Sequence, residues 1–240
     1  MFTIYKRELR ALYLGYRGYA FTAIFAVLYC VVRMVYNYFN SYALTLGYFN
    51  AEYMLTFLPV AFALAVPVIT FSVYEKERKE DAYTFLRSLP IKASSITAGK
   101  YLALLTSFIV PYAVLTAIDF ILGTYSGAAV ATVALSLLSY VLICNAFLAI
   151  SFFCATMLRN KFAALGVSCG ISLGCVGLYA LSQLLPVGMW REMLLKVSLV
   201  GTYTSVVFGR FDITALILWL SIGAAFLWLS FAASKKEMFE

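Results

Sequence analysis

Histidine is absent from this 240-residue chain. Without imidazole there can be no histidine-ligated haem or zinc, and no hydrolytic mechanism that takes its proton on a histidine. Charge is scarce as well. Asp, Glu, Lys and Arg make up 12% of the residues, while hydrophobic residues make up 64%, against about 25% and 45–50% in an ordinary soluble domain. A single water-soluble globule is excluded. The five cysteines, Cys30, Cys144, Cys154, Cys169 and Cys175, lie inside apolar stretches with no CxxC pair and no acidic or imidazole neighbour. They read as packing residues, and no metal site is expected. No short apolar run near the N-terminus ends in a small-residue cleavage site, so no cleaved signal peptide is expected.

What is present is a series of long apolar runs. A membrane-spanning helix takes about 20 mostly apolar residues, and runs of that kind fall at roughly 18–38, 53–74, 100–122, 130–158, 162–185 and 213–233. The expected fold class is all-α: a polytopic membrane protein of six transmembrane helices, forming one domain over residues 1–240. Ahead of the first run, Phe2, Tyr5, Leu9, Leu12, Tyr13 and Tyr16 recur at helical spacing among Lys6, Arg7, Glu8, Arg10 and Arg17. That is the pattern of an interfacial helix over residues 1–17.

The charges then set the orientation. The chain has 18 lysines and arginines and a net charge of +7. Of these, 14 fall in the N-terminal segment, the loop 75–99 with Lys100, the Arg159–Lys161 turn and the C-terminal tail. Only Arg191, Lys196 and Arg210 fall in the opposite loops. The positive-inside rule therefore places both termini in the cytoplasm of a multi-pass protein of the plasma membrane. The basic excess is topological information, and no nucleic-acid partner is expected.

The loop 75–99 carries the most specific pattern. Charges of both signs, including Glu77 and Arg78, give way to Tyr83, Leu86 and Leu89 at helical spacing, with Arg87 beside them, and Pro90 stops the helix. A short cytoplasmic helix of this kind suits docking into a groove on another protein. A solvated loop that only obeys topology is the other reading.

Taken with Lys6-Arg7-Glu8-Leu9 at the start, Leu86-Arg87-Ser88-Leu89-Pro90, Ile96-Thr97-Ala98-Gly99-Lys100 and Gly209-Arg210-Phe211-Asp212 before the last apolar run, the chain resembles type-2 ABC transporter permeases. It is similar in particular to the bacterial branch of gliding-motility and copper-maturation permeases. The resemblance implies a permease subunit of an ATP-driven exporter. Its connecting helix would lie at about Phe2–Tyr13, and its coupling helix at Tyr83, Leu86, Arg87, Leu89 and Pro90. It also implies a second permease, as homodimer or heterodimer, and a separate ABC ATPase subunit. No stretch fits G-x-x-x-x-G-K-[ST], so no cofactor is expected in this chain, and ATP and Mg would be held by the partner. The alternative from another class is a secondary carrier or channel that works without ATP. An intramembrane enzyme lacks both histidine and clustered carboxylates.

Two further features stand in the apolar runs. Gly166, Gly170 and Gly174 form a doubled G-x-x-x-G, which admits close approach of another helix, in a second permease or in the same subunit. The overlapping Gly166-Val167-Ser168-Cys169-Gly170 matches the pattern of a hydrolase elbow. It lies inside an apolar helix, where that turn cannot form. Arg33 and Asp119 are the clearest ionisable residues within runs. They could pair with each other, snorkel to the outer interface or contact substrate. The membrane lipids are the remaining expected partner.

Overall fold

The computed structural model describes residues 2–14, 18–27, 29–31, 65–71, 93–121, 130–158, 160–207 and 212–239. Among the described residues the chain is helical, with no strand. The principal helices are α1 (Phe2–Leu14), α2 (Ala93–Ile121), α3 (Val130–Met157), α4 (Lys161–Leu184), α5 (Met189–Val197), α6 (Leu199–Val207) and α7 (Ile213–Phe239). Residues 65–71 are also helical. Four stretches are long and apolar enough to cross a membrane: Ser95–Ile118, Leu137–Met157, Phe162–Leu184 and Ile213–Ser234. The helices Phe2–Leu14 and Gly18–Val31 meet at 68°, and together they would make a fifth crossing if the bent pair is one span. Of the expected span 18–38 the described residues are 18–27 and 29–31, and of 53–74 they are 65–71, helical in both.

The bundle is organised around α3, which packs on α2, α4, α6 and above all α7. Its residues Tyr140, Ile143, Cys144, Phe147, Leu148 and Phe152 are fully buried. Apolar side chains cover every side of this helix, as expected of one largely surrounded by others, although Leu138 and Met157 are exposed. In a bilayer the gain from such burial is close packing, since lipid tails are as apolar as leucine. The aromatic residues supply it: Tyr112 of α2 stacks on Tyr140 with centroids 3.6 Å apart, and Tyr140 Oη donates to the carbonyl of Phe108 at 3.1 Å. Pro111 lies inside α2 without ending it. It removes one N–H, a loss that helices enclosed by neighbours tolerate.

Helix α1 buries Ile4, Glu8 and Leu12, one residue per turn, on its face towards α2. Gly99 makes that contact close: a Cβ there would stand 2.9 Å from Ile4 Cγ2. Glu8 is 7% exposed and pairs with Arg7 at 2.5 Å. A tight turn joins α3 to α4, with the Asn160 side chain accepting from the N–H of Phe162 at 3.3 Å as the helix cap.

The stretch 186–212, expected as a plain loop, contains two helices. Ser198 separates them: its N–H closes α5 on the carbonyl of Leu194, while its Oγ accepts from the N–H of Gly201 at 3.2 Å and caps α6. Helix α6 buries Leu199, Val200, Tyr203 and Val206 against α3, α4 and α7. A Cβ on Gly201 would stand 2.6 Å from the Leu195 carbonyl oxygen, so the close approach of the two helices requires glycine here. The other difference is at α2. The loop expected to run to residue 99 gives way to helix at Ala93, and Lys100, counted with the loop charges, is 4% exposed inside it. Ser95 and Thr97 look like loop residues in sequence, but hydroxyls are tolerated in a helix whose neighbours enclose it. Thr97 Oγ1 bonds Ser234 Oγ of α7 at 3.2 Å.

Candidate functional site

The residues expected to meet an ATPase, Glu77, Arg78, Tyr83, Leu86, Arg87, Leu89 and Pro90, lie outside the described residues, as does Arg33. Asp119 sits in the last turn of α2, with its side chain outside the described residues. The pairing expected of Arg33 with Asp119 therefore lies outside the described residues.

Gly166, Gly170 and Gly174 are on α4, and the helix has two distinct small-residue faces. Ala164, Ser168 and Ser172 are buried, whereas the three glycines are exposed. Two residues along a helix is a rotation of about 200°, so the glycines point away from the face that α4 turns to the bundle. A Cβ added at any of the three would meet nothing within 4 Å among the described residues. Around them Val167, Ile171, Leu173 and Leu178 are also exposed, leaving a long apolar surface cut by a shallow backbone groove.

Sequence reasoning passed over the polar contact at the middle of the bundle. Tyr101 of α2 donates its hydroxyl to Asn145 Oδ1 of α3 at 2.6 Å, and stands 3.0 Å from the carbonyl oxygen of the same residue. On the other side of Asn145 lies Gly223 of α7, where a Cβ would collide with Nδ2. One amide thus joins three helices. Its signal in the sequence was a lone asparagine within a 28-residue apolar helix.

At the opposite end of the bundle from the α3–α4 turn, a cleft of about 890 Å³ opens between the end of α4, the α5–α6 pair and the start of α7. Arg191, Glu192, Lys196 and Asp212 supply two charges of each sign, and Gln183 and Thr202 add neutral polar groups. Arg191 donates to Gln183 Oε1 at 3.2 Å. Asp212 accepts from both the hydroxyl of Thr214, at 2.6 Å, and its N–H, at 3.0 Å. These bonds hold its carboxyl below the ordinary aspartate range, with a smaller contribution from Lys196. Of the charged residues of this cleft, Arg191 and Lys196 entered the sequence reading as loop charges, Asp212 as the end of the Gly209-Arg210-Phe211-Asp212 stretch, and Glu192 not at all.

The arrangement is one of packing faces and polar locks carried by membrane-spanning helices. A family model described as ABC-2 family transporter protein matches residues 24–226, most of the chain. The chain belongs to the ABC-2 transporter family. No curated protein matches it. Membership makes this a multi-pass membrane protein and a transport subunit, in a family whose members associate with ABC ATPases. The ABC-2 match extends across all four spanning stretches except the end of the last, and it includes the segment 75–92 that the sequence singles out.

Proposed function

We propose that this chain is the permease subunit of an ATP-driven exporter, with six spans and both termini in the cytoplasm, coupled to a separate ABC ATPase that binds ATP and Mg. The observation that carries the reading is the ABC-2 family match over residues 24–226 in a chain with no phosphate-binding loop of its own. The remaining spans are assigned to 18–38 and 53–74, and α1 to a connecting helix along the cytoplasmic interface. Tyr83, Leu86, Arg87, Leu89 and Pro90 form the coupling helix, following the charged exit at Glu77 and Arg78. The glycine face of α4 receives the second permease. Its support is the absence of any described neighbour within 4 Å of a Cβ at Gly166, Gly170 or Gly174 and the affinity of small-xxx-small surfaces for another helix. Substrate moves at the interface between the two permeases as ATPase closure is transmitted through the coupling helices.

The test is co-purification of the ATPase with wild-type and Leu86→Asp permease at equal membrane expression. Truncating an apolar anchor seated in a partner's groove costs on the order of 2 kcal/mol, and the aspartate adds a buried charge, so ATPase recovery falls more than tenfold while the permease still inserts. Arg87→Ala weakens docking less. Full retention of ATPase and transport by Leu86→Asp would return 75–92 to a solvated loop.

A further inference from the structure

Helix α5 presents an exposed apolar strip. Met189, Met193 and Val197 follow one another at four-residue spacing, with Trp190 beside them, and all four are exposed, Trp190 at 76%. Arg191, Glu192 and Lys196 line the cleft, Arg191 half-buried and the other two exposed. A helix that leaves its methionines and tryptophan outside and buries none of its residues is poorly built for water. It is correctly built for a membrane interface, where tryptophan and apolar side chains sit at the level of the headgroups and upper acyl chains. Val187 and Leu184, 87% and 82% exposed, continue the apolar strip to the end of α4. The cleft follows directly on the end of the spanning stretch Phe162–Leu184, which puts its mouth at headgroup depth.

The cleft's charges are of both signs and are kept from cancelling completely. Arg191 is turned to a neutral amide, Gln183. Asp212 takes its hydrogen bonds from Thr214. Glu192 is in the first turn of α5 and Lys196 in its last, each at the helix end whose dipole favours it. Two cations and two anions thus line one cleft of about 890 Å³, three of them on α5 and Asp212 just before α7.

We propose that this cleft binds the headgroup of a zwitterionic, amine-bearing phospholipid, its phosphate on Arg191 and Lys196, its ammonium towards Glu192 and Asp212, and its acyl chains along the apolar strip of α5. The chemistry recognised is a phosphodiester joined to a primary ammonium, and the source is the bilayer lipid. The bound lipid braces the α5–α6 pair against α4 and α7. Its leaflet, the outer one, rests on the orientation proposed above; the binding itself does not.

The experiment uses the full-length permease purified in mild detergent without any ATPase, so its outcome is separate from that of the coupling test. Retained lipid is counted by native mass spectrometry after addition of phosphatidylethanolamine, phosphatidylglycerol or the water-soluble glycerophosphoethanolamine. Phosphatidylethanolamine is expected to be retained at one per chain, at least tenfold over phosphatidylglycerol. The Arg191→Gln/Lys196→Gln variant is expected to lose that retention tenfold, and Lys6→Gln on exposed α1 to keep it. Glu192→Gln, at an exposed position that cannot unfold the bundle, is expected to reduce the preference between the two lipids towards unity. Equal retention of both lipids by the wild type would overturn the proposal. So would unchanged retention in the double variant. Binding of glycerophosphoethanolamine as tight as that of the lipid would assign the cleft to a soluble phosphate-bearing solute and remove the membrane from the argument.

Discussion

Replacing Gly223 by alanine adds one methyl group at the contact between α7 and α3, directly against Nδ2 of Asn145. A side-chain tip would ordinarily swing aside, but the other end of this amide is held by the Tyr101 hydroxyl at 2.6 Å. Either α7 withdraws from α3, an overpacking cost of about 1–3 kcal/mol, or the amide rotates and gives up a bond worth about 1 kcal/mol between membrane helices. Gly223→Ala is therefore expected to lose about 2 kcal/mol of stability, most of it steric. Asn145→Ala removes the obstacle together with the bond and loses about 1 kcal/mol. In that background the new methyl has space, so the double variant loses less than the two singles combined, by about 1–2 kcal/mol. Tyr101→Phe frees the amide without removing it and also makes Gly223→Ala cheaper. Unfolding in mixed micelles, followed by tryptophan fluorescence, measures all of these. A Gly223→Ala variant as stable as the wild type, or losses that simply add with Asn145→Ala, would refute the three-helix lock.

Three other outcomes are expected. Gly170→Leu leaves the monomer's stability unchanged, since nothing described lies within 4 Å of its Cβ, but lowers cross-linked dimer in detergent, and Leu178→Ala lowers it less; an unchanged dimer content would remove the second permease from this face. Alanine at Arg33 or at Asp119 lowers folded yield, and the charge-swapped double variant recovers part of it if the two pair; additive losses would separate them. Single cysteines at Tyr125 and Gly188 in a cysteine-free background label with impermeant maleimide on intact cells while one at Ser88 does not, and the reverse pattern would invert the topology.

The central spans were legible because their signal is collective. The apolar run expected at 130–158 is α3, Val130–Met157, and that at 162–185 is α4, Lys161–Leu184, with Asn160 marking the turn between them as a cap residue should. Hydrophobicity summed over two dozen positions leaves little freedom. Helix α6 escaped because nine residues are too few to register as a span, and the charges and Pro186-Val187-Gly188 ahead of it suggested loop throughout. Its burial comes from neighbours distant in sequence, which no local window contains. The cleft was illegible for the same reason: Arg191 and Asp212 are 21 positions apart and line one cleft only through the fold. The two faces of α4 could have been separated by counting in steps of four, which puts Ala164, Ser168 and Ser172 on one line and the glycines on another. Hydropathy alone does not say which line turns inward.

The apolar circumference of α3 leaves one variable undetermined, the angle of rotation about its own long axis. An amphipathic helix sets that angle by the position of its apolar stripe, but a cylinder that is apolar all round would pack almost equally well after turning by a third of a revolution. Asn145 removes that degeneracy. Only one angle lets its amide meet the Tyr101 hydroxyl on one side and the bare backbone of Gly223 on the other, and Tyr140, reaching the Phe108 carbonyl from the same helix, agrees with it. A buried polar residue that costs stability in isolation works here as an index mark, much as a single asparagine fixes the register of a coiled coil. Each neighbour of α3 then takes its azimuth from that setting, including α4, so the direction in which Gly166, Gly170 and Gly174 face is fixed from a side chain that never touches them.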